Sequence, residues 1–181
     1  MVQSESRTVT ESKSSIMELM EPEHANVHGN VQGGKIMKMV DQVAYIAASR
    51  HALSNVVTAS ADRFDFLSPV FVGNVVHAMA SVNYTGTSSM EIGVRVEAQC
   101  LNSGKIVHVN SAYLTFVALD EKDNPKKVPK IIPETNEEKR RYEEAKVRKE
   151  NRLKVQKKRS PSAPCMTRLQ NTPFPYKRDV D

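Results

Sequence analysis

The fold is decided by one stretch, which runs Asn30-Val-Gln-Gly33-Gly34-Lys-Ile-Met-Lys-Met-Val-Asp41-Gln-Val-Ala-Tyr-Ile-Ala-Ala-Ser-Arg50-His51. After the glycine pair, apolar side chains fall on nearly every side of a helix, so the wide polar face of an ordinary surface helix is missing. The stretch therefore predicts a buried central helix. Gly33 and Gly34 place free backbone amides at the positive end of the helix dipole, where they suit a carbonyl or phosphate oxygen.

Asp41 is the one acid in the middle of this apolar run. A carboxylate is costly to bury without a partner or a task. The stretch alone leaves two interpretations open. Either the glycine amides and Asp41 belong to a site, or the glycines only allow close packing and Asp41 is a satisfied polar group of the core or of an interface.

Strand patterns surround this helix on both sides along the chain. The segment 90–100 alternates apolar and polar residues most cleanly, which predicts one dry and one wet face. Short turns join the later strands, so they are antiparallel neighbours. A helix of about 18 residues, roughly 27 Å long, needs cover, and we predict an α+β fold in which about five antiparallel strands wrap around it. The predicted strands are 15–20, 56–63, 74–84, 90–100 and 105–119.

The ends of the chain have a different composition from the middle. Residues 1–14 are polar and are predicted to be disordered, and 15–133 form the folded domain. Thr135-Asn-Glu-Glu138 is typical of a capping box and begins a charged helix over 134–158. The polar residues 159–181 are predicted to be a disordered tail.

The charge of the chain is concentrated in one region. The 181 residues carry a net charge of +5, but 135–159 alone hold eleven Lys or Arg against five Glu. The rest of the chain is therefore close to neutral, and the basic composition does not indicate a nucleic-acid-binding core.

Several classes of protein are disfavoured by what the sequence lacks. Its apolar runs are strand-sized and no basic-then-apolar leader is present, so we expect no membrane span and a cytoplasmic location. Cys100 and Cys165 predict no disulfide framework, and His24 and His28 lack a third ligand at metal-binding spacing. We therefore expect no metal site.

Six segments of the chain form an ordered set. They are Asn30 to Asp41 as quoted above, Ala48-Ser-Arg-His51, Val57-Thr-Ala-Ser60, Phe66-Leu-Ser-Pro69, Ser88-Ser-Met-Glu-Ile92 and Pro133-Glu-Thr-Asn-Glu-Glu-Lys-Arg-Arg-Tyr142. This set resembles the hotdog-fold acyl-CoA thioesterases, above all the brain acyl-CoA hydrolase branch and its bacterial single-domain relatives. The resemblance runs from about residue 16 to 153 and implies hydrolysis of fatty acyl-CoA to a free acid and CoA, without a bound cofactor.

The resemblance also implies roles for residues of the central stretch. By position, Asp41 matches the family's helix acid, which activates or orients water, and Asn30 matches the second polar catalytic residue. The amides of Gly33 and Gly34 are expected to polarise the thioester carbonyl.

Two further segments are candidates for holding the phosphates of CoA. We predict that the turn Gly86-Thr87-Ser88-Ser89 and the basic pair Lys126 and Lys127 form the cradle, because phosphates need amide or hydroxyl donors and cations. The alternative is an ordinary hairpin turn and a solvated charge pair.

The spacing within the helix predicts an oligomer. Gly34 and Asp41 are seven residues apart, so they lie on one helical face but about 10 Å apart along the axis. A carbonyl held at Gly34 is then out of reach of Asp41 on the same helix, whereas two helices related by a two-fold axis would bring them together. We therefore predict a homodimer with shared sites. The spacing gives no number of subunits beyond two; the larger assembly that we expect is a trimer of such dimers.

Two other functions compete with hydrolysis. One is a non-hydrolytic acyl-CoA-binding protein of the same fold, since fold does not fix chemistry; a pure binder has no need of Asp41. The other is a basic scaffold that contacts RNA or membranes through 139–159. The absence of Trp and an aromatic content of 6% argue against a stacking platform for single strands.

Overall fold

The computed structural model describes residues 5–62 and 64–159, the last four of them by their backbone only. The chain divides into two compact units with the boundary after Lys146, and the sheet and the central helix lie in the first unit. The elements in chain order are β1 (Ser6–Thr8), α1 (Val9–Ser12), β2 (Ser14–Leu19), a 3-10 turn (Pro22–His24), α2 (Gly33–Ala52), β3 (Asn55–Ala61), β4 (Asp65–Phe66), β5 (Asn74–Thr85), β6 (Ser89–Cys100), β7 (Ile106–Leu119), β8 (Lys130–Ile132) and α3 (Asn136–Arg159).

The main sheet is antiparallel and has the strand order β2-β5-β6-β7-β3, with the short β4 also paired to β7. It curls around α2, so the predicted α+β hotdog fold is confirmed. Strand β3 ends this order, and its register on β7 shifts between Thr58 and Ser60. Such a bulge bends a strand and re-aims the side chains beside it. Position 63, at the end of the predicted strand 56–63, lies outside the described residues.

Helix α2 packs one face onto the sheet and leaves the other face open. The open face carries Met37, Asp41, Tyr45 and Ile46, and the three apolar side chains among them are 39% to 45% exposed. The prediction that the helix is covered on nearly every side therefore does not hold for the single chain, because one curled sheet reaches only part of its circumference. The buried residues of α2 are Ile36, Met39, Val40, Val43, Ala44, Ala47, Ala48, His51 and Ala52.

The predicted dry face of β6 is confirmed, since Met90, Ile92, Val94, Val96 and Ala98 are all buried. The predicted wet face is covered in part. Glu91 is only 2% exposed, because the first turns of α3 lie over this end of the outer face. The ring of Tyr142 is 5.2 Å from the ring of Tyr84, which pairs with Glu91 across the ladder.

The first residues of the domain are ordered into the fold, where the sequence predicted a disordered segment over 1–14. Strand β1 pairs in parallel with β8, Val9 is buried, and the Ser12 hydroxyl accepts a hydrogen bond from the Val82 amide at 3.0 Å. Residues 1–4 and 160–181 lie outside the described residues, so the predicted tail over 159–181 is not described apart from its first position. Within the described part of the chain, every helix is too short or too polar to cross a membrane.

Candidate active site

The N-terminus of α2 offers two open backbone amides. Gln32, the residue before the helix, has an extended backbone and makes no capping hydrogen bond through its side chain. Among the residues that the structure describes, the amides of Gly33 and Gly34 have no hydrogen-bond acceptor. These amides sit at the positive end of the helix dipole, so together they can bind an oxygen that carries negative charge.

The two glycines differ in their surroundings. A Cβ added at Gly33 would lie 3.3 Å from Cζ of the Phe66 ring, whereas a Cβ at Gly34 would meet nothing within 4 Å. A methyl group at Gly33 would therefore require the phenyl ring to shift by a few tenths of an ångström, whereas the backbone at Gly34 faces open space. Close packing therefore applies to Gly33 only, whereas the amides of both glycines are open.

A cavity of about 330 Å³ lies beside this helix start. Its lining is mostly apolar and includes two asparagine side chains. It consists of Asn26, Asn30, Val31, Gly33, Ile36, Phe66, Leu67, Ser68, Pro69 and Val70. The structure thus brings Asn30 and Gly33, two of the predicted site residues, to one cavity and adds Asn26 to them.

The loop before α2 holds the two asparagines in place. Asn26 Oδ1 accepts hydrogen bonds from the amides of His28, at 2.8 Å, and Asn30, at 3.3 Å. The turn passes through Gly29 at φ +83°, a left-handed conformation that favours glycine. Because Oδ1 of Asn26 is occupied, its NH2 group is the part that can donate to a ligand. The side chain of Asn30 makes no hydrogen bond to another described residue.

Asp41 lies on the open face of α2 and is held by Thr58 of β3. The Thr58 hydroxyl donates to Asp41 Oδ1 at 2.9 Å, and both side chains are exposed in the single chain. Asp41 is therefore not the buried acid that the sequence analysis considered. Its second carboxylate oxygen has no partner among the described side chains and can accept a hydrogen bond from water.

Asp41 does not line the cavity that holds Asn30 and Gly33. It lies two helical turns beyond Gly34 on the same open face, which corresponds to about 10 Å along the axis. Within one chain, the amides and the carboxylate are therefore apart from each other.

The two predicted CoA-binding segments lie next to each other. The turn between β5 and β6 is closed by a hydrogen bond from the Gly86 amide to the Ser89 carbonyl at 2.7 Å. The Val128 amide donates to the Thr87 carbonyl at 3.0 Å, and the Lys126 amide donates to the Ala118 carbonyl at 2.8 Å. The lysine segment is therefore fixed alongside the turn, although the two are about 40 residues apart in sequence.

This turn is close to the part of β3 that contacts Asp41 through Thr58. Ser89 pairs with Val117 of β7, and Val117 pairs with Val57 of β3. Two inter-strand spacings, about 10 Å, thus separate the turn from Val57, the residue before Thr58. The described residues contain no group of three or more His, Cys, Asp or Glu side chains that could hold a metal ion.

A curled antiparallel sheet around one central helix is the architecture of the hotdog class of thioesterase domains. The chain belongs to the thioesterase superfamily, whose family pattern matches residues 28–102. It is 40% identical over 134 residues to the uncharacterized acyl-CoA thioester hydrolase YkhA of Bacillus subtilis, covering 74% of this chain and 78% of that protein.

Other relatives agree with this family. The cytosolic acyl coenzyme A thioester hydrolase of Mus musculus is 41% identical over 146 residues, which are 80% of this chain and 38% of the mouse protein. The chain thus spans well under half the length of that relative. Among solved structures, an apo-hexameric acyl-CoA thioesterase has a TM-score of 0.81 at 42% identity, with 83% of this chain and 96% of the other covered.

An acyl-CoA hydrolase from Staphylococcus aureus, solved in complex with butyryl coenzyme A, coenzyme A and coenzyme A disulfide, is similarly close. Its TM-score is 0.78 at 38% identity, with 84% of this chain and 94% of the other covered. Solved variants of this enzyme carry alanine in place of one asparagine, one aspartate and one threonine.

Sequence reasoning missed two residues that the geometry singles out. Thr58 is an ordinary residue in a strand pattern, and only the packing of β3 against α2 brings it to Asp41. Asn26 lies in the same loop as Asn30, to which the family resemblance assigns the role of the second polar catalytic residue. The signal that could have found Asn26 is the run Asn26-Val-His-Gly29, since Asn before a nearby glycine is typical of a turn closed by the asparagine side chain.

Proposed function

We propose that the protein hydrolyses fatty acyl-CoA to a free fatty acid and CoA, in the cytoplasm, at sites shared between two copies of the chain. The observation that carries this proposal is the position of the Asp41 and Thr58 pair on the same open face of α2 as the Gly34 amide, about 10 Å away. The acid and the oxygen-binding amide both face outward but are too far apart to form one site in a single chain. In two copies, the acid of one chain can complete the site at the amide of the other.

The S. aureus enzyme supports the choice of residues. The asparagine, aspartate and threonine that its variants replace are 15 and 17 residues apart in order. Asn26, Asp41 and Thr58 have the same two spacings in this chain. This match favours Asn26 over Asn30 as the polar residue of the loop, with Asn30 in a supporting position at the same cavity.

In the proposed reaction, the thioester carbonyl binds at the helix start of one copy. The amides of Gly33 and Gly34, with the NH2 group of Asn26, donate to the carbonyl oxygen and stabilise the negative charge that develops on it. Asp41 of the second copy, oriented by Thr58, takes a proton from water as the water oxygen attacks the carbonyl carbon. The carbon–sulfur bond then breaks and Asp41 returns the proton to the leaving thiolate, which yields the acid and CoA.

The surface that would be shared is apolar and has an unpaired edge. Met37, Tyr45 and Ile46 of α2 and Val57 of β3 are exposed apolar side chains on neighbouring elements. Among the described strands, β3 has a partner on one side only. Exposed strand edges and apolar patches are typical of interaction sites, and the hexameric thioesterase among the structural neighbours supports a homo-oligomer. A trimer of dimers is the assembly we propose.

The two ends of the substrate fit two different surroundings. The apolar cavity next to Gly33 suits an acyl chain, because burying apolar surface favours binding. The turn Gly86–Ser89 with Lys126 and Lys127 suits the phosphates of CoA. The butyryl coenzyme A and coenzyme A complexes of the S. aureus enzyme support this class of substrate.

The test is steady-state hydrolysis of a panel of acyl-CoA thioesters, with release of free thiol as the measurement. We expect turnover by the wild type and a loss of about a hundred- to ten-thousand-fold in kcat for Asp41→Asn, with an unchanged oligomer and melting temperature. Lys38→Gln, one turn away on the same exposed surface, is the matched control and should keep wild-type kcat. Binding of acyl-CoA without turnover by the wild type would instead identify a non-hydrolytic binding protein.

A further inference from the structure

His51 near the end of α2 is completely buried and makes one specific hydrogen bond. Its Nε2 atom lies 2.9 Å from the carbonyl oxygen of Pro129. A carbonyl only accepts, so Nε2 carries a proton, and in the neutral ring Nδ1 is then unprotonated. Among the described residues, Nδ1 has no hydrogen-bond partner.

Pro129 belongs to a segment that runs alongside the turn between β5 and β6. We call residues 126–132 the strap. The Val128 amide donates to the Thr87 carbonyl at 3.0 Å, and the Ile131 amide donates to Thr85 Oγ1 at 3.0 Å. The His51 bond therefore attaches α2, which begins at the helix-start amides, to the strap that supports the turn.

We propose that His51 is a positioning residue, which holds the strap against the turn Gly86–Ser89 and thereby sets the affinity of the protein for the phosphate part of CoA. This inference rests on the proposed function, because it assigns the turn and the lysines of the strap to CoA. The path has three steps: from His51 to Pro129, from Val128 to Thr87, and from the turn to the ligand. His51 itself lies in the core and touches no substrate.

The surroundings of His51 make this bond sensitive to pH. Burial lowers the pKa of His51, the hydrogen bond to Pro129 raises it, the Arg7 guanidinium lowers it and the Glu11 carboxylate raises it, with a net shift downward. A Nη1 atom of Arg7 lies 3.4 Å from the His51 carbonyl oxygen. An imidazolium would thus carry a second N–H without an acceptor, close to another cation, and that cost disfavours the folded arrangement.

The direction of the pH effect follows from this shift. Burial is the largest cause of the lowered pKa, and detachment of the strap would remove the Pro129 contact and let water reach the His51 ring. The detached or unfolded state then takes up a proton near the ordinary histidine pKa of about 6.5, whereas the attached and buried state resists it. Attachment of the strap is therefore complete above that pH and weakens as the pH falls below it. The affinity for CoA should weaken over the same window.

The experiment compares His51→Leu with His51→Gln. Leucine fills the space without a donor, whereas glutamine carries an N–H at a similar distance from the backbone as Nε2. For His51→Leu we expect KM for acyl-CoA and Kd for free CoA to rise by up to about tenfold, the effect of one lost hydrogen bond, with kcat retained. His51→Gln should keep the wild-type values. The matching acyl-pantetheine, which lacks the phosphates, should show the same KM for all three proteins.

Two further measurements address folding and pH. If His51→Leu does not fold, Thr85→Val removes the acceptor of the Ile131 amide instead and should raise Kd for CoA in the same way. Between pH 7.5 and 5.5, Kd for CoA should rise more steeply for the wild type than for His51→Gln, which shares the titration of the ligand but not that of the imidazole.

An unchanged Kd for CoA in a folded His51→Leu, or in Thr85→Val where His51→Leu does not fold, would overturn the positioning role of His51 and leave the proposed hydrolysis intact. Parallel pH profiles for the wild type and His51→Gln would overturn it in the same way. A rise in KM for acyl-pantetheine equal to that for acyl-CoA would also overturn it, because the effect would not reside in the phosphates. Absence of both turnover and CoA binding in the wild type would instead refute the proposed function, and this inference with it.

Discussion

Thr58 Oγ1 lies 2.9 Å from Asp41 Oδ1, so a residue of the last strand of the sheet orients a carboxylate on the open face of the central helix. The contact joins two exposed side chains, and an isolated bond of this kind contributes little to stability in water. Its effect is on geometry. Because Thr58 holds Oδ1, the carboxylate has a fixed orientation, and this orientation also sets the direction of Oδ2.

Replacing Thr58 tests this orientation. Thr58→Val keeps the shape of the side chain but removes the donor, so the carboxylate becomes free to rotate. We expect kcat to fall by about tenfold with little change in KM, since the acid acts in the transition state. Thr58→Ser retains the hydroxyl and serves as the control. A wild-type kcat for Thr58→Val would show that Asp41 needs no orientation.

The two asparagines of the cavity should differ in importance. Asn26→Ala removes the proposed donor to the developing oxyanion and also the acceptor that closes the loop, so kcat should fall by about a hundredfold or more. Asn30→Ala should cost less, because its side chain holds no part of the loop. Thiol release by both variants, measured alongside their melting temperatures, separates the two. Equal losses would assign Asn30 a direct role.

A mixing experiment tests the shared site. Gly33→Pro removes one helix-start amide while keeping the helix, because proline suits the first helical position and Gln32 already has the extended backbone that precedes proline, with φ −61° and ψ 132°. This variant and Asp41→Asn should both be inactive alone. After subunit exchange at equal amounts, about one quarter of wild-type activity should return, by the symmetry of random pairing.

The control for mixing is Gly33→Ala, which keeps the amide and adds a methyl group 3.3 Å from the Phe66 ring. It should retain most activity. No recovery in the mixture, despite exchange verified with tagged subunits, would mean that each copy carries its own complete site.

The turn between β5 and β6 gives a prediction that concerns binding rather than chemistry. Replacing Ser88 and Ser89 by alanine removes two hydroxyl donors, whereas the backbone bonds of the turn to Ala118 and Val128 remain. KM for acyl-CoA should therefore rise more than kcat falls. Calorimetric titration with free CoA provides a second readout, and an unchanged Kd would remove this turn from the binding site.

The start of α3 gives a prediction about stability. Glu138 Oε2 accepts from the amides of Glu134 and Thr135 at 2.9 and 3.1 Å, and Glu138 also pairs with Lys13 at 3.3 Å. Burial raises the pKa of Glu138, but these hydrogen bonds and Lys13 outweigh it and lower the pKa overall. The stabilisation is then present above the ordinary glutamate pKa and is lost as the pH falls through the lowered value.

Glu138→Gln should accordingly lower the melting temperature at pH 7, and the difference from the wild type should shrink toward pH 3. Glu143→Gln, which affects an exposed pair with Lys146, should have little effect at either pH. A constant difference across this range would show that the charge of Glu138 is not what stabilises the helix start.

Features with a local cause could be predicted from the sequence. The capping box depends on residues three positions apart, and the Glu138 amide does donate to Thr135 Oγ1 at 3.2 Å. The alternation of β6 is a repeat of period two, so its buried face was readable. Asp41 was noticeable in the sequence because an acid is unusual within an apolar run. The structure accounts for it by an exposed position on α2, which the sequence could not specify.

Features that depend on distant parts of the chain could not be predicted in this way. Residues 6–12 are structured because β1 pairs with β8, more than 120 positions later. The composition of the first residues does not indicate this pairing. The contact between Thr58 and Asp41 likewise depends on how β3 crosses the helix. Sequence patterns report the preferences of a segment, whereas these contacts are set by the neighbours that the fold provides.

If two copies associate as proposed, the one-sided cover of α2 would also make folding depend on protein concentration. A newly folded single chain would expose Met37, Tyr45 and Ile46 to water until a second copy arrives. Since association stabilises only the folded state, the free energy of unfolding should increase with the total amount of protein present. Dilution alone would then lower the melting temperature, and the cellular abundance of the protein would help to determine how much of it is folded.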